Sequence, residues 1–295
     1  MASVDTANAA QRPQRRASPR RYRETERPRI LWFVTAAVMI YLFAPILVVV
    51  VFSFNSARSL SVFKGFSLEW WSQLLHDPDV QASLFASVKI GVGVMVVAAV
   101  IGTLLAIGMH YAPARWSRLI EMLVMMALVA PEIATAVAAM LLFNQVGVTL
   151  SLWTVAIAHI TFCTVFVTVI VRSRLTGLDP SLEEAAMDLG ANRVQSMRLV
   201  ILPLLQPAIL AGALIAFVLS FDNFVTSFFT SGVGVSPMPI RIYGMIKFGI
   251  SPVVNAVGTF MMVFTVSVVV IAAFAIARFG NRARRSGRDG DGAAE

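Results

Sequence analysis

The chain has 295 residues, of which 58% are hydrophobic and 14% charged, with a formal net charge of +8. A soluble domain is about 45–50% apolar and about 25% charged, so the composition excludes an ordinary soluble fold and puts the chain in the membrane class. The positive charge gathers at the two ends, with eight arginines in residues 1–29 and five in the last eighteen. That distribution excludes nucleic acid as a partner and suits contact with anionic membrane lipid, or the fixing of topology.

Residues 1–29 have no short apolar core and no cleavage site, so they read as a disordered basic tail rather than a signal peptide. Six apolar segments follow that are long enough to span a bilayer: Ile30–Phe54, Leu84–Tyr111, Leu119–Phe143, Val148–Val171, Pro207–Thr230 and Val253–Ala277. Backbone groups in lipid must bond within their own segment, so all six are predicted as helices. Between the first two, Leu68, Trp71, Leu74 and Leu75 recur at helical spacing. They predict a short helix at the interface, with Trp70 and Trp71 as anchors. Between the last two, Gly and Pro bracket a loop or short re-entrant element. Cys163 is the single cysteine and reads as a small core residue. His110 and His159 read as isolated structural residues.

With both termini in the cytoplasm, the inner segments hold 19 Lys and Arg and the outer ones 5. This excess predicts that orientation. The fold class expected is therefore all-α integral membrane, with six transmembrane helices over 30–279 between cytoplasmic tails 1–29 and 280–295.

One connector is polar. In residues 177–205, Asp179 can cap a helix whose first position suits Pro180, and Ser181–Leu189 are good helix formers. Gly190 suits a left-handed stop. Asn192 can cap a second helix, and Pro203 and Pro207 are expected to reset the chain before the fifth span. The first helix is about ten residues, or about 15 Å, too short to span and marginal alone in water. Its face of Leu182, Ala185, Ala186 and Leu189 needs something to pack against.

The stretch "EAAMDLGANRVQSMRLVILP" resembles the EAA loop of ABC importer permeases: Glu-Ala-Ala, three residues, Gly, nine residues, Ile-x-Leu-Pro. The pattern falls on Glu184, Ala185, Ala186, Gly190, Val200, Leu202 and Pro203, with Val200 in place of isoleucine. The pieces "APEIATA", "LSFDNFVTSFF" and "MPIRIYGMIKFGISPVVNA" are similar to the C-type permeases of the spermidine/putrescine importer family. Asn223 departs from a second carboxylate common there. The resemblance implies the type I ABC importer permease fold in a bacterial plasma membrane. It makes the polar insert a coupling loop, with Asp179, Leu182, Glu183, Glu184, Ala185, Ala186, Leu189, Gly190 and Pro203 meeting or shaping the contact with a cytoplasmic ATPase dimer. It further implies a sibling permease and an extracytoplasmic solute-binding protein, for which Arg241 and Tyr243 are docking candidates. ATP and Mg²⁺ belong to the partner ATPase. No cofactor or metal is expected in this chain, which has no GxxxxGK[ST] phosphate loop, and it is expected to be a transporter subunit rather than an enzyme.

Carboxylates at membrane depth are costly and mark paths or partners. Glu132 in the third span and Asp222 in the fifth therefore read as a cation path with Phe221, Asn223, Phe224 and Thr226, whose rings could support ammonium groups. The bland alternative has Glu132 capping a helix broken at Pro131 and Asp222 bonded within a subunit interface. Other functions to be weighed are an ABC permease for aminoethylphosphonate, Fe³⁺ or thiamine, an ion-coupled secondary transporter, and a scaffold that only binds an ATPase.

Overall fold

The computed structural model describes residues 29–58, 62–234, 236–248 and 252–291, with side chains described between 30 and 274. Most of the expected amino-terminal tail lies outside the described residues. The chain forms two compact units, one ending at Val48 and one beginning at Val49. The first holds most of helix α1 (Arg29–Phe52), uncharged beyond Arg29 and containing Pro45.

The second unit begins with a short connector pinned by Asn55, whose side chain donates to the Val62 carbonyl over 2.8 Å and whose own carbonyl accepts the Trp70 indole N–H at 2.6 Å. Helix α2 (Glu69–His76) is the expected short helix, but it turns a different face inward. Trp70 and Leu74 are buried while Leu68 and Leu75 are exposed. The anchor expectation is thus corrected for Trp70, whose N–H is satisfied inside the protein.

Asp77 caps helix α3 (Pro78–Tyr111) by accepting from the N–H groups of Asp79 and Val80, and Pro78 fits the first position. Helix α4 (Ala114–Val129) and helix α5 (Glu132–Gln145) meet at 104° across Ala130–Pro131. The third expected span is therefore broken, because proline has no N–H to give and excludes the helical conformation from the residue before it. Helix α6 (Leu152–Thr176) starts in a capping box of Ser151 and Thr154.

In the polar connector, helix α7 (Ser181–Asp188) ends before Gly190, which sits at φ +90°. Asn192 and Gln195 form a capping box that opens helix α8 (Arg193–Ser196). The expected reset at the prolines is corrected. A π-helical turn (Met197–Ile201) carries α8 directly into helix α9 (Leu202–Phe221), with Pro203 in its first turn and Pro207 inside. The Leu202 N–H reaches back five residues to the Met197 carbonyl, a wider spacing that keeps the helix going where a proline removes a bond. The fifth span then stops at Phe221, and helix α10 (Val225–Thr230) follows after a break at 222–224. Helix α11 (Met238–Phe248) fills the last connector, and helix α12 runs from Val253 to Asp291. An irregular tail is expected from 280. The helix instead continues past Phe279, over a stretch where Arg282, Ala283, Arg284 and Arg285 are strong helix formers.

Among the described residues five helices are long and apolar enough to cross a membrane, and the bent α4–α5 pair makes six if it forms one span. The core lies where α3, α6 and α9 meet, through Val94, Ala98, Val167, Val171 and Leu205. Gly102 permits their close approach, since a Cβ there would stand 2.7 Å from the Val167 Cβ.

Candidate functional site

Two helix breaks come together. Glu132 is the first residue of α5, just after the Pro131 break, where the helix end favours a negative charge. Asn223 lies in the gap between α9 and α10. Its side-chain amide donates to Glu132 Oε1 over 2.7 Å, and its side-chain oxygen accepts the Thr226 N–H at 2.8 Å. Asn223 therefore both caps α10 and ties it to α5. Its neighbour Asp222 closes the C-terminal end of α9, where the helix disfavours a carboxylate. Asp222 is exposed and, among the described residues, meets only the Thr265 hydroxyl, at 3.4 Å to each oxygen. Glu132 is thus committed to an internal partner, whereas Asp222 keeps acceptor capacity for a cation.

The remaining expected path residues divide. Phe221 is fully buried, stacked on Phe217 with ring centroids 5.5 Å apart and packed on Phe264 at 5.0 Å. Thr226 is buried too, with its carbonyl accepting the Thr230 hydroxyl. Both build the wall behind the break. Phe224 is partly exposed and faces Tyr243 of α11 at 5.0 Å and Phe228 at 5.4 Å. Tyr243, expected at a docking surface, thus joins the aromatic group beside the break. Lys247, one turn further along α11, places Nζ 5.7 Å from the Tyr243 ring centre. Arg241, the other docking candidate, pairs with Asp79 at 2.9 Å and lines a cleft of about 740 Å³ with Ser83, Gly234 and Phe248.

Sequence reasoning reads His159 as an isolated structural residue and misses its partners. The ring is 2% exposed, with Nδ1 2.8 Å from the Ser220 hydroxyl and Nε2 3.2 Å from the Ser227 hydroxyl. The two serines flank the 222–224 break, so one imidazole on α6 splints α9 to α10. Thr154 adds a second tie from α6, donating to the Thr230 carbonyl at 2.7 Å. No local spacing signals this, because the partners lie 61 and 68 positions away.

At the other end of α9 lies the polar connector 177–205. The Asp179 carboxylate accepts the Ser181 N–H at 3.0 Å, which holds its pKa below the usual carboxylate value. Of the face expected to pack, only Ala186 is buried. Ala185 and Glu184 are exposed, Leu182 is partly so, and Leu189 is 91% exposed. Val194 and Leu199 add further exposed apolar surface on the same connector. Glu183 turns inward and accepts a hydrogen bond from the Tyr111 hydroxyl at 3.0 Å, tying α7 to the end of α3. Pro203 lies inside the continuous helix and not at an elbow.

A family model described as "Binding-protein-dependent transport system inner membrane component" matches residues 98–286. The spermidine/putrescine transport system permease protein PotC of Haemophilus influenzae is 37% identical over 235 residues, covering 80% of this chain and 91% of the relative. PotC of Escherichia coli (strain K12) is 37% identical over 246 residues, covering 83% and 92%. The putrescine transport system permease protein PotI of the same strain is 34% identical over 229 residues, covering 75% and 82%. Among solved structures, a bacterial ABC transporter involved in the import of the acidic polysaccharide alginate superposes with a TM-score of 0.67 at 15% identity, covering 85% of this chain and 93% of that one. An amino acid ABC transporter crystallised with histidines gives 0.58 at 15% identity, covering 71% and 98%. At those identities the likeness is one of fold, that of an ABC importer permease.

Proposed function

The chain belongs to the binding-protein-dependent transport system inner membrane component family, and from that premise we propose that it is the permease subunit through which an ABC importer admits polyamines such as spermidine and putrescine. The carrying observation is 37% identity to spermidine/putrescine permeases over most of both chains. Asp222 fits that cargo: it is an exposed carboxylate at the helix break, two residues before Phe224, whose ring meets Tyr243, and a carboxylate and ring faces both suit an ammonium group.

The driving force comes from outside the chain. In this reading the exposed Leu189, Leu182 and Val194 dock on a cytoplasmic ATPase dimer, which binds ATP and Mg²⁺. Gly190 sets the angle between α7 and α8. A sibling permease completes the path, and a solute-binding protein docks on the far face, near Arg241. The termini then lie in the cytoplasm, flanking a permease domain of 30–279.

The test is a reconstituted complex with its ATPase, sibling permease and binding protein. ATP hydrolysis stimulated by spermidine or putrescine, with uptake that stops without ATP, is the expected result. Stimulation by aminoethylphosphonate or Fe³⁺ alone would replace the substrate assignment. Uptake without any ATPase subunit would replace the mechanism with an ion-coupled one.

A further inference from the structure

The aromatic group beside the helix break already faces a cation of its own. Phe224, Phe228 and Tyr243 stand with ring centres 5.0–5.8 Å apart, joining the start of α10 to α11. Tyr243 and Lys247 are four residues apart on α11, hence on one face. The Lys247 ammonium lies 5.7 Å from the Tyr243 ring centre and 5.5 Å from that of Phe248, both within cation–π range. Among the described residues no carboxylate is within ion-pairing distance of Lys247. Its charge is met by ring faces.

Resting on the polyamine reading above, we propose that the Phe224–Phe228–Tyr243 group is an ammonium subsite and that Lys247 is its built-in competitor, displaced when cargo enters. The chemistry is a like-for-like exchange. A lysine side chain is a four-carbon stem ending in a primary ammonium, the same group that ends a diaminobutane chain. Rings that accept one accept the other. Phe224 directly follows Asp222 and Asn223, so an ammonium leaving the rings has a carboxylate next in line. The tethered ammonium also supplies discrimination. A neutral solute gains little by displacing it, whereas a cation replaces the lost contact with its own.

The experiment measures equilibrium binding of spermidine, putrescine and n-butylammonium to the assembled complex in lipid nanodiscs, without the binding protein. Co-purification of the ATPase checks assembly of each variant. Lys247→Met removes the competitor and keeps the stem. It should tighten amine binding about two- to fivefold, the scale of an exposed cation–π contact. Lys247→Arg should bind as the wild type does. Tyr243→Leu should weaken binding, and adding Lys247→Met to it should bring no gain, because the contested ring is gone. Unchanged or weaker binding by Lys247→Met, in a complex whose wild type imports polyamines, overturns the inference and leaves the transport reading intact. Wild-type complexes that neither bind nor import any amine overturn both.

Discussion

Asn223 hands its side-chain amide to Glu132 over 2.7 Å, joining two helix breaks that are 91 positions apart in the chain. Each break alone would leave backbone groups short of partners in lipid. The Asn223 side chain caps its own break through the Thr226 N–H and reaches the other through Glu132. Glu132→Ala should leave the Asn223 amide without its acceptor and cost about 1–3 kcal/mol, read as a lower melting temperature of the complex. Asn223→Asp should do more harm, because it sets a second carboxylate against Glu132 in a low-dielectric setting. An Asn223→Asp complex as stable as the wild type would contradict this pairing.

Asp222 should behave in the opposite way. It closes a helix at the end that repels negative charge, and only a long contact to Thr265 holds it. Asp222→Asn should leave stability equal or higher, by about 0.3–1 kcal/mol, while polyamine uptake falls tenfold or more. Uptake at the wild-type rate would remove Asp222 from the path.

The splint at His159 predicts a large structural effect. His159→Ala strands the Ser220 and Ser227 hydroxyls, at about 1–3 kcal/mol for each buried group left unpaired. Adding Ser220→Ala and Ser227→Ala to that variant should recover part of the loss. Thermal melts of the wild type, the three single variants and the triple variant decide this, and a simple sum of the single effects would deny that the three side chains act as a unit.

On the coupling loop, a Cβ at Gly190 would meet nothing within 4 Å, yet φ is +90°. The objection to a side chain is therefore backbone strain, about 1–2 kcal/mol, and not a clash. Gly190→Val should insert and fold yet hydrolyse ATP without matching uptake. Leu189→Asp should lose the ATPase on co-purification, since that side chain is 91% exposed among the described residues. Retention of the ATPase by Leu189→Asp would move the docking surface elsewhere.

Acid should loosen the same loop. The Asp179 carboxyl has a lowered pKa through the Ser181 N–H. Its contribution to the α7 start is present above the usual Asp range and is lost as pH falls through the lowered folded value. The protection of the Ser181 amide, its exchange rate set against the intrinsic rate at the same pH, should therefore fall at low pH in the wild type, and be low already at neutral pH in Asp179→Ala.

Much of this was legible in the residues because the signals were local. Asp179, Gly190 and Asn192 each act within a few positions, and all three hold the backbone roles their types imply. Pro131 marked a break that the structure bears out. Pro203 and Pro207 misled, because a π-helical turn just upstream absorbs the change in bonding and the helix goes on. The gap at 222–224 was hidden in a run of phenylalanines that reads as continuous span. Its supports, Glu132 and His159, come from other helices. A buried imidazole shared by two distant serines leaves no trace in spacing. Lys247 enters the sequence only as one of the five outer positive charges, and its place over Tyr243 comes from the fold.

From Arg193 to Phe221 the chain is one unbroken stretch of 29 residues. At about 1.5 Å per residue it is a lever about 40 Å long, so a tilt of about 10° at its Arg193 end would swing the far tip by about 7 Å. That swing exceeds the 2.7 Å reach by which Asn223 holds Glu132. A tilt of that size would pull the clasp apart by leverage alone, with no change in the chemistry of either side chain.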